Sequence, residues 1–155
     1  MQLYIHAIGE LTEPWLNEGI CQYKKRIPSP YQLTICSYST PKRLKNKSIR
    51  TIQQQESQLL LQQKKPGDIL VYMDQTGKSL TSQGLANQLD NWRQRAPNIR
   101  FLIGGPDGHL PEAVAGSDCV LSLSDMTLPH GLARLVLVEQ IYRAIMIQNN
   151  HPYHR

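Results

Sequence analysis

The side chains best suited to chemistry lie in the last third of this sequence. HPYHR, His151 to Arg155, gathers two histidines, a tyrosine and an arginine, which between them can move a proton, stack on a ring and bind an anion. Chain termini usually fray, so the segment is either a polar tail or chemistry carried from the end of the chain to another place. Further back, SLSDMTLPHGLARLVL runs a strand into a loop bearing Ser124, Asp125, Thr127 and His130 just before a helix. Free main-chain amides and carbonyls in such a loop could read a purine edge, while His130 fits a helix cap or a structural histidine equally well. LIGGPDG, Leu102 to Gly108, places two glycines at a strand end and then proline, aspartate and glycine. That pattern turns the backbone sharply and leaves room for something to lie against it, although a plain turn has the same composition.

Other chemistries are excluded by spacing. Gly77 to Ser79 reads GKS, but a phosphate-binding loop needs glycine where Tyr72 stands, so nucleotide hydrolysis is rejected. IGELTEPW after the first strand has one glycine, so the dinucleotide fingerprint is missing. His151 and His154 could begin a metal site, yet no carboxylate or cysteine set completes a ligand shell, and no metal is expected. Cys21, Cys36 and Cys119 are odd in number, far apart and without CxxC spacing, and read as reduced and packed.

The elements that must position these groups alternate. QLYIHAI reads as a strand ended by Gly9, followed by a helix with Thr12 at its N-cap, Pro14 in its first turn and Leu16, Ile20, Tyr23 and Ile27 at helical spacing. YQLTICSY is a second strand, and a helix over 48–63 follows with Ile49, Ile52, Glu56 and Leu59 marking one side. DILVYMD and IRFLIGG are continuous apolar runs, as strands of a parallel sheet buried on both faces require, with Leu85, Leu89 and Trp92 lining the helix between them. A short helical piece around 112–115 precedes the strand DCVLSLS, and a last helix starts near Pro129 or Gly131 and runs to about Asn149. The expectation is one α/β domain over 1–155, a mainly parallel sheet flanked by helices, with its ligand at the carboxyl ends of the strands. The last helix is apolar over most of its circumference, with Leu132, Leu135, Val136, Leu137, Val138, Ile141, Ile145, Met146 and Ile147, which asks for cover on more than one side. A second copy in an isologous dimer is the economical cover, and a fully internal helix is the alternative.

No basic stretch followed by a long apolar run opens the sequence, and LARLVLVEQIYRAIMI is interrupted by charges, so neither a secretory signal nor a membrane span is expected and the reading is cytoplasmic. A formal charge of +5 over 155 residues favours a polyanionic partner. The most basic stretch is STPKRLKNKSIR, where Lys42, Arg43, Lys45 and Lys47 are candidates for phosphate contacts.

IGGPDG, then LSLSDMTLPH, then RLVLVEQIYRA and finally NNHPYHR together resemble the C-terminal signature of the RlmH family. These are small SPOUT-class methyltransferases of large-subunit ribosomal RNA, and the resemblance spans essentially the whole chain. It implies an α/β fold with a deep C-terminal trefoil knot, a homodimer, S-adenosylmethionine as cofactor and N3 of a pseudouridine in 23S ribosomal RNA as acceptor, in the assembled ribosome. The knot comes from the resemblance alone, since general topology rules disfavour it. The cofactor loops of the family match Met73, Gly104 and the run Leu123, Ser124, Asp125, Met126, Thr127 and Leu128. The expectation is that Gly104 lets backbone approach the ligand. His130, Arg143, Tyr153 and His154 are expected to line the acceptor pocket, with Arg134 and Arg155 holding phosphate or uracil oxygens. The closing pentapeptide then crosses to the cleft of a second subunit, or else merely docks on it. The rival readings are a catalytically silent ribosome-binding module and a methyltransferase of the same fold acting on transfer RNA.

Overall fold

A computed structural model describes residues 1–40 and 48–154, with side chains described through Tyr153. Lys42, Arg43, Lys45, Lys47, Arg155 and the side chain of His154 lie outside the described residues. The elements in order are β1 (Gln2–Ile8), α1 (Pro14–Arg26), β2 (Gln32–Tyr38), α2 (Ile49–Leu61), β3 (Ile69–Ser79), α3 (Ser82–Arg95), β4 (Asn98–Ile103), α4 (Pro111–Ala115), β5 (Cys119–Ser122) and α5 (His130–Gln148), with a final 3-10 turn over Pro152–His154.

The strands form one five-stranded sheet in the order β2-β1-β4-β3-β5, and every pairing is parallel. Side chains alternate across it as the two-residue period demands. Leu3, Ile5 and Ala7 of β1 and Ile99, Phe101 and Ile103 of β4 join a core with α1, α3 and α5, whereas Ile8, Leu70, Tyr72 and Leu102 pack on the other face with Leu60 of α2 and Ala113 of α4.

Local signals explain most boundaries and correct a few. α1 is capped by Glu13 without a side-chain cap bond, and Thr12 instead reaches the Glu13 carboxylate at 3.3 Å, because Pro14 fits the first helical position immediately after Glu13. Ser48 caps α2 by accepting from the Thr51 amide at 3.2 Å. The buried side of α2 is Ile52, Glu56, Ser57 and Leu60, so Leu60 replaces Leu59, and Ile49 is 60% exposed in the first turn. β3 continues past the expected DILVYMD to Ser79, with a register shift against β5 between Met73 and Lys78. Gly77 permits that continuation, because a Cβ there would stand 2.6 Å from the Leu121 carbonyl carbon.

α5 is absorbed largely within the chain. It lies against both α1 and α3, and Leu137, Val138, Ile141, Tyr142, Ala144, Ile145 and Met146 are buried. Its apolar circumference therefore has internal cover on most sides, though the helix is not fully internal. Leu132, Val136, Glu139, Arg143 and Ile147 remain half-buried along one stripe. No helix among the described residues is long and apolar enough to cross a membrane.

Candidate active site

β4 and β5 end on either side of β3, and the segments leaving them, with Met73 to Gln75 inside β3, enclose a cavity of about 300 Å³. Its walls are Met73 to Gln75, the turn from Ile103 to His109 without Asp107, the run from Leu121 to Leu128 without Asp125, and His130 with Ala133 from the start of α5. This is where parallel sheets place ligands, and the volume falls at the lower end of small-molecule sites. Ser122 organises the third wall by donating to the Ser124 carbonyl at 2.9 Å, and Ser124 in turn accepts from the Met126 amide at 2.9 Å.

Of the eight expected cofactor residues, Met73, Gly104, Leu123, Ser124, Met126, Thr127 and Leu128 line the cavity. Asp125 does not; it is exposed and faces Ser79, whose hydroxyl is 3.4 Å from its carboxylate. Met126 stands at the rim with 78% of its surface exposed, an apolar side chain with little to cover it in the single chain. Gly104 lines the cavity and is also confined from within the chain. A Cβ there would overlap the ring of His109, so a protein side chain occupies that close approach. Gly105 is likewise confined, since a Cβ would meet the Glu56 carboxylate at 2.5 Å.

His109 also lines the cavity, and it lies just beyond the LIGGPDG pattern, which ends at Gly108. The signal was present: a histidine directly after a glycine turn at a strand end. Gly108 has φ of +76° and turns the chain back, so that the imidazole Nε2 hydrogen-bonds the Met73 carbonyl at 3.2 Å and the ring meets Tyr72 edge-on at 4.1 Å. Burial pushes its pKa down, and the Met73 carbonyl and Asp74 offset this only in part. His130 is also shifted down, by burial and then by the Arg134 guanidinium, against a hydrogen bond with the Gly104 main chain. Both rings are thus kept neutral at neutral pH, and a neutral imidazole has one nitrogen able to accept a proton.

Arg134 does not face the cavity or solvent. It is 1% exposed, and its guanidinium donates to the Ile8 carbonyl at 3.3 Å, the Gly9 carbonyl at 3.0 Å and the Ser37 hydroxyl at 3.1 Å. The expected phosphate contact is therefore corrected: Arg134 ties α5 to the ends of β1 and β2. β1 ends there, at Gly9 with its φ of +91°, and the guanidinium satisfies carbonyls at that end.

The remaining expected residues gather elsewhere. Arg143 forks onto Glu139 at 2.7 and 2.9 Å and lies over the Tyr153 ring at 4.9 Å. Tyr153 packs edge-on against Tyr142 at 4.7 Å, and its hydroxyl donates to Glu139 at 3.1 Å beside the Tyr23 hydroxyl. Glu139, which joins both partners, was not among the expected residues; its spacing four residues before Arg143 was the available signal. Along α5, Arg143 is roughly 20 Å from His130 at 1.5 Å per residue. The tail group therefore cannot line the cavity of its own chain.

Among the described residues no cluster of three or more histidine, cysteine, aspartate or glutamate side chains is placed to hold a metal. The family profile described as "Predicted SPOUT methyltransferase" matches residues 1–154. Proteins named "Ribosomal RNA large subunit methyltransferase H" are similar over the full length. That of Marinomonas sp. (strain MWYL1) is 38% identical over 155 residues, covering 100% of each chain. That of Pseudomonas entomophila (strain L48) is 37% identical with the same coverage, and that of Nitrosomonas eutropha is 38% identical over 100% of this chain and 99% of its own. A parallel α/β sheet with its cavity at the strand ends, matched from end to end by that profile and those relatives, places the chain in the SPOUT methyltransferase family, among the ribosomal RNA large subunit methyltransferase H proteins.

Proposed function

We propose that this chain transfers a methyl group from S-adenosylmethionine to N3 of a pseudouridine in 23S ribosomal RNA, in the cytoplasm, on the assembled ribosome and as a homodimer. The observation that carries the reading is the division of the expected groups into two sites. His130 lines the strand-end cavity, whereas Arg143 and Tyr153 are at the far end of the same helix. A second copy would bring one chain's tail to the other's cavity and complete a site that neither chain holds alone.

The cavity suits the cofactor. Its lining is more apolar than polar, with Met73, Leu123 and Leu128 available to enclose a purine, and with Asp74 as the one carboxylate among the described lining residues, for a cationic ligand. When bound, S-adenosylmethionine supplies a methyl group made electrophilic by its sulfonium. The chain's own residues then have three tasks. Main-chain groups of 123–128 and of Gly104 orient the adenosine. A proton must leave the imide N3, and His130, held neutral, can accept it, with His154 from the second chain able to do the same. Tyr153 offers a stacking face to a splayed base, while Arg143 offers donors to the uracil oxygens. Lys42, Arg43, Lys45, Lys47 and Arg155 hold phosphates. A trefoil knot threading the 123–128 loop is part of the same proposal.

The test removes residues 151–155. The shortened protein should remain folded and bind S-adenosylmethionine by calorimetry while methylating ribosomes at a level indistinguishable from background. Mixing it with a His130→Ala full-length protein should restore activity, since one mixed site then holds both an intact His130 and an intact tail. Retained activity in the shortened protein alone rejects the composite site.

A further inference from the structure

We propose that Asp74 is the residue by which this cavity distinguishes the sulfonium cofactor from its uncharged thioether product. The inference rests on the cofactor assigned above and adds a role that the shape of the cavity does not supply. Asp74 is the one carboxylate among the described lining residues. One of its oxygens is fixed by the Thr76 amide at 2.8 Å and the Thr76 hydroxyl at 2.6 Å, a pair of bonds within β3 that aims the group rather than leaving it to rotate. The other oxygen is 3.6 Å from His109 Nε2, beyond hydrogen-bond range, and that nitrogen already serves the Met73 carbonyl.

The result is a negative group whose ion-pair neighbour, among the described residues, is a histidine kept neutral. Burial pushes the Asp74 carboxyl up, but the two Thr76 bonds and His109 outweigh it and hold it below the ordinary range, so it is ionised at neutral pH. The groups that act on it are Thr76 and Tyr72 on its own strand and His109 from the β4 loop.

Methyl transfer breaks the S–CH3 bond and forms N–CH3; the S–C electron pair stays on sulfur, and the N3 proton passes to the base. The cofactor therefore enters with a cationic sulfur and the product leaves with a neutral one, while the amino and carboxyl groups of the two are the same. A fixed carboxylate in a partly enclosed cavity attracts the first more than the second. Asp74 thus favours loading and helps release.

Calorimetry of the full chain and of Asp74→Asn decides this, with S-adenosylmethionine, S-adenosylhomocysteine, and sinefungin, which carries an amine in place of the sulfonium. The substitution should weaken the two cations about tenfold and change the thioether less than about twofold, the order expected for one partly screened charge. Equal weakening of all three, or of none, overturns the assignment to Asp74 and leaves the cofactor reading intact. Failure of the unaltered protein to bind any of them removes both. Asparagine keeps an acceptor for Thr76; should it not fold, Asp74→Ser, which also keeps one, is measured in its place against the same outcomes.

Discussion

His6 should make this protein acid-labile by an amount the structure allows one to work out. It lies on β1 with 3% of its surface exposed, between the Tyr38 hydroxyl at 2.8 Å on Nδ1 and Arg100 at 3.1 Å on Nε2. Arg100 is itself paired with buried Asp68, so a second positive charge at His6 would be both desolvated and repelled. Burial, then Arg100, lowers its pKa from 6.5 to about 4. A lowered histidine pKa means that the unfolded chain takes up a proton before the native one does. The stability is therefore fully present above pH 6.5 and drains away as the pH falls towards 4. Each pKa unit is worth about 1.4 kcal/mol, so roughly 3 kcal/mol is lost by pH 4, a sizeable share of the stability of an ordinary domain. Urea unfolding of the native sequence and of His6→Gln, at steps from pH 7 to pH 4, measures it. Glutamine removes the titration, so the stability difference between the two proteins should shrink or reverse by about that amount on acidification. Subtraction also cancels the smaller effects of the same sign from His109 and His130. A difference that stays level from pH 7 to pH 4 would refute the buried, neutral state of His6.

Two further outcomes follow from the site. Gly104→Ala should cost roughly 1–3 kcal/mol and weaken cofactor binding, because the new methyl must displace the His109 ring. His109→Ala in the same chain should remove most of that cost, so a double-mutant cycle by thermal unfolding will be strongly non-additive if the two groups compete for one space. Arg134→Met should destabilise by about 2–4 kcal/mol, since it leaves main-chain carbonyls at the end of β1 unpaired. The salt dependence of ribosome binding should be unchanged in that variant; a reduced slope with unaltered unfolding would return Arg134 to the RNA-contact set.

Period and punctuation made much of this architecture legible in one dimension. DILVYMD and IRFLIGG could only be buried strands, and Leu85, Leu89 and Trp92 could only be one helix face, because burial and main-chain hydrogen bonding leave few other options to such runs. The strand-end turn and the loop before the last helix were legible for the same reason: glycine, proline and serine there forbid continuation. What the sequence could not express was which neighbour each exposed strand end would meet. Arg134 reads as a surface cation until β1 and β2 are seen to end beneath it, nothing in the spacing sets the His109 ring against Gly104, and nothing in it seats Tyr153 on Tyr142 and Glu139. Local periodicity depends on contacts a few residues apart, whereas these three outcomes depend on contacts between segments whose separation along the chain carries no information about distance in space. The order of strands across the sheet made those decisions.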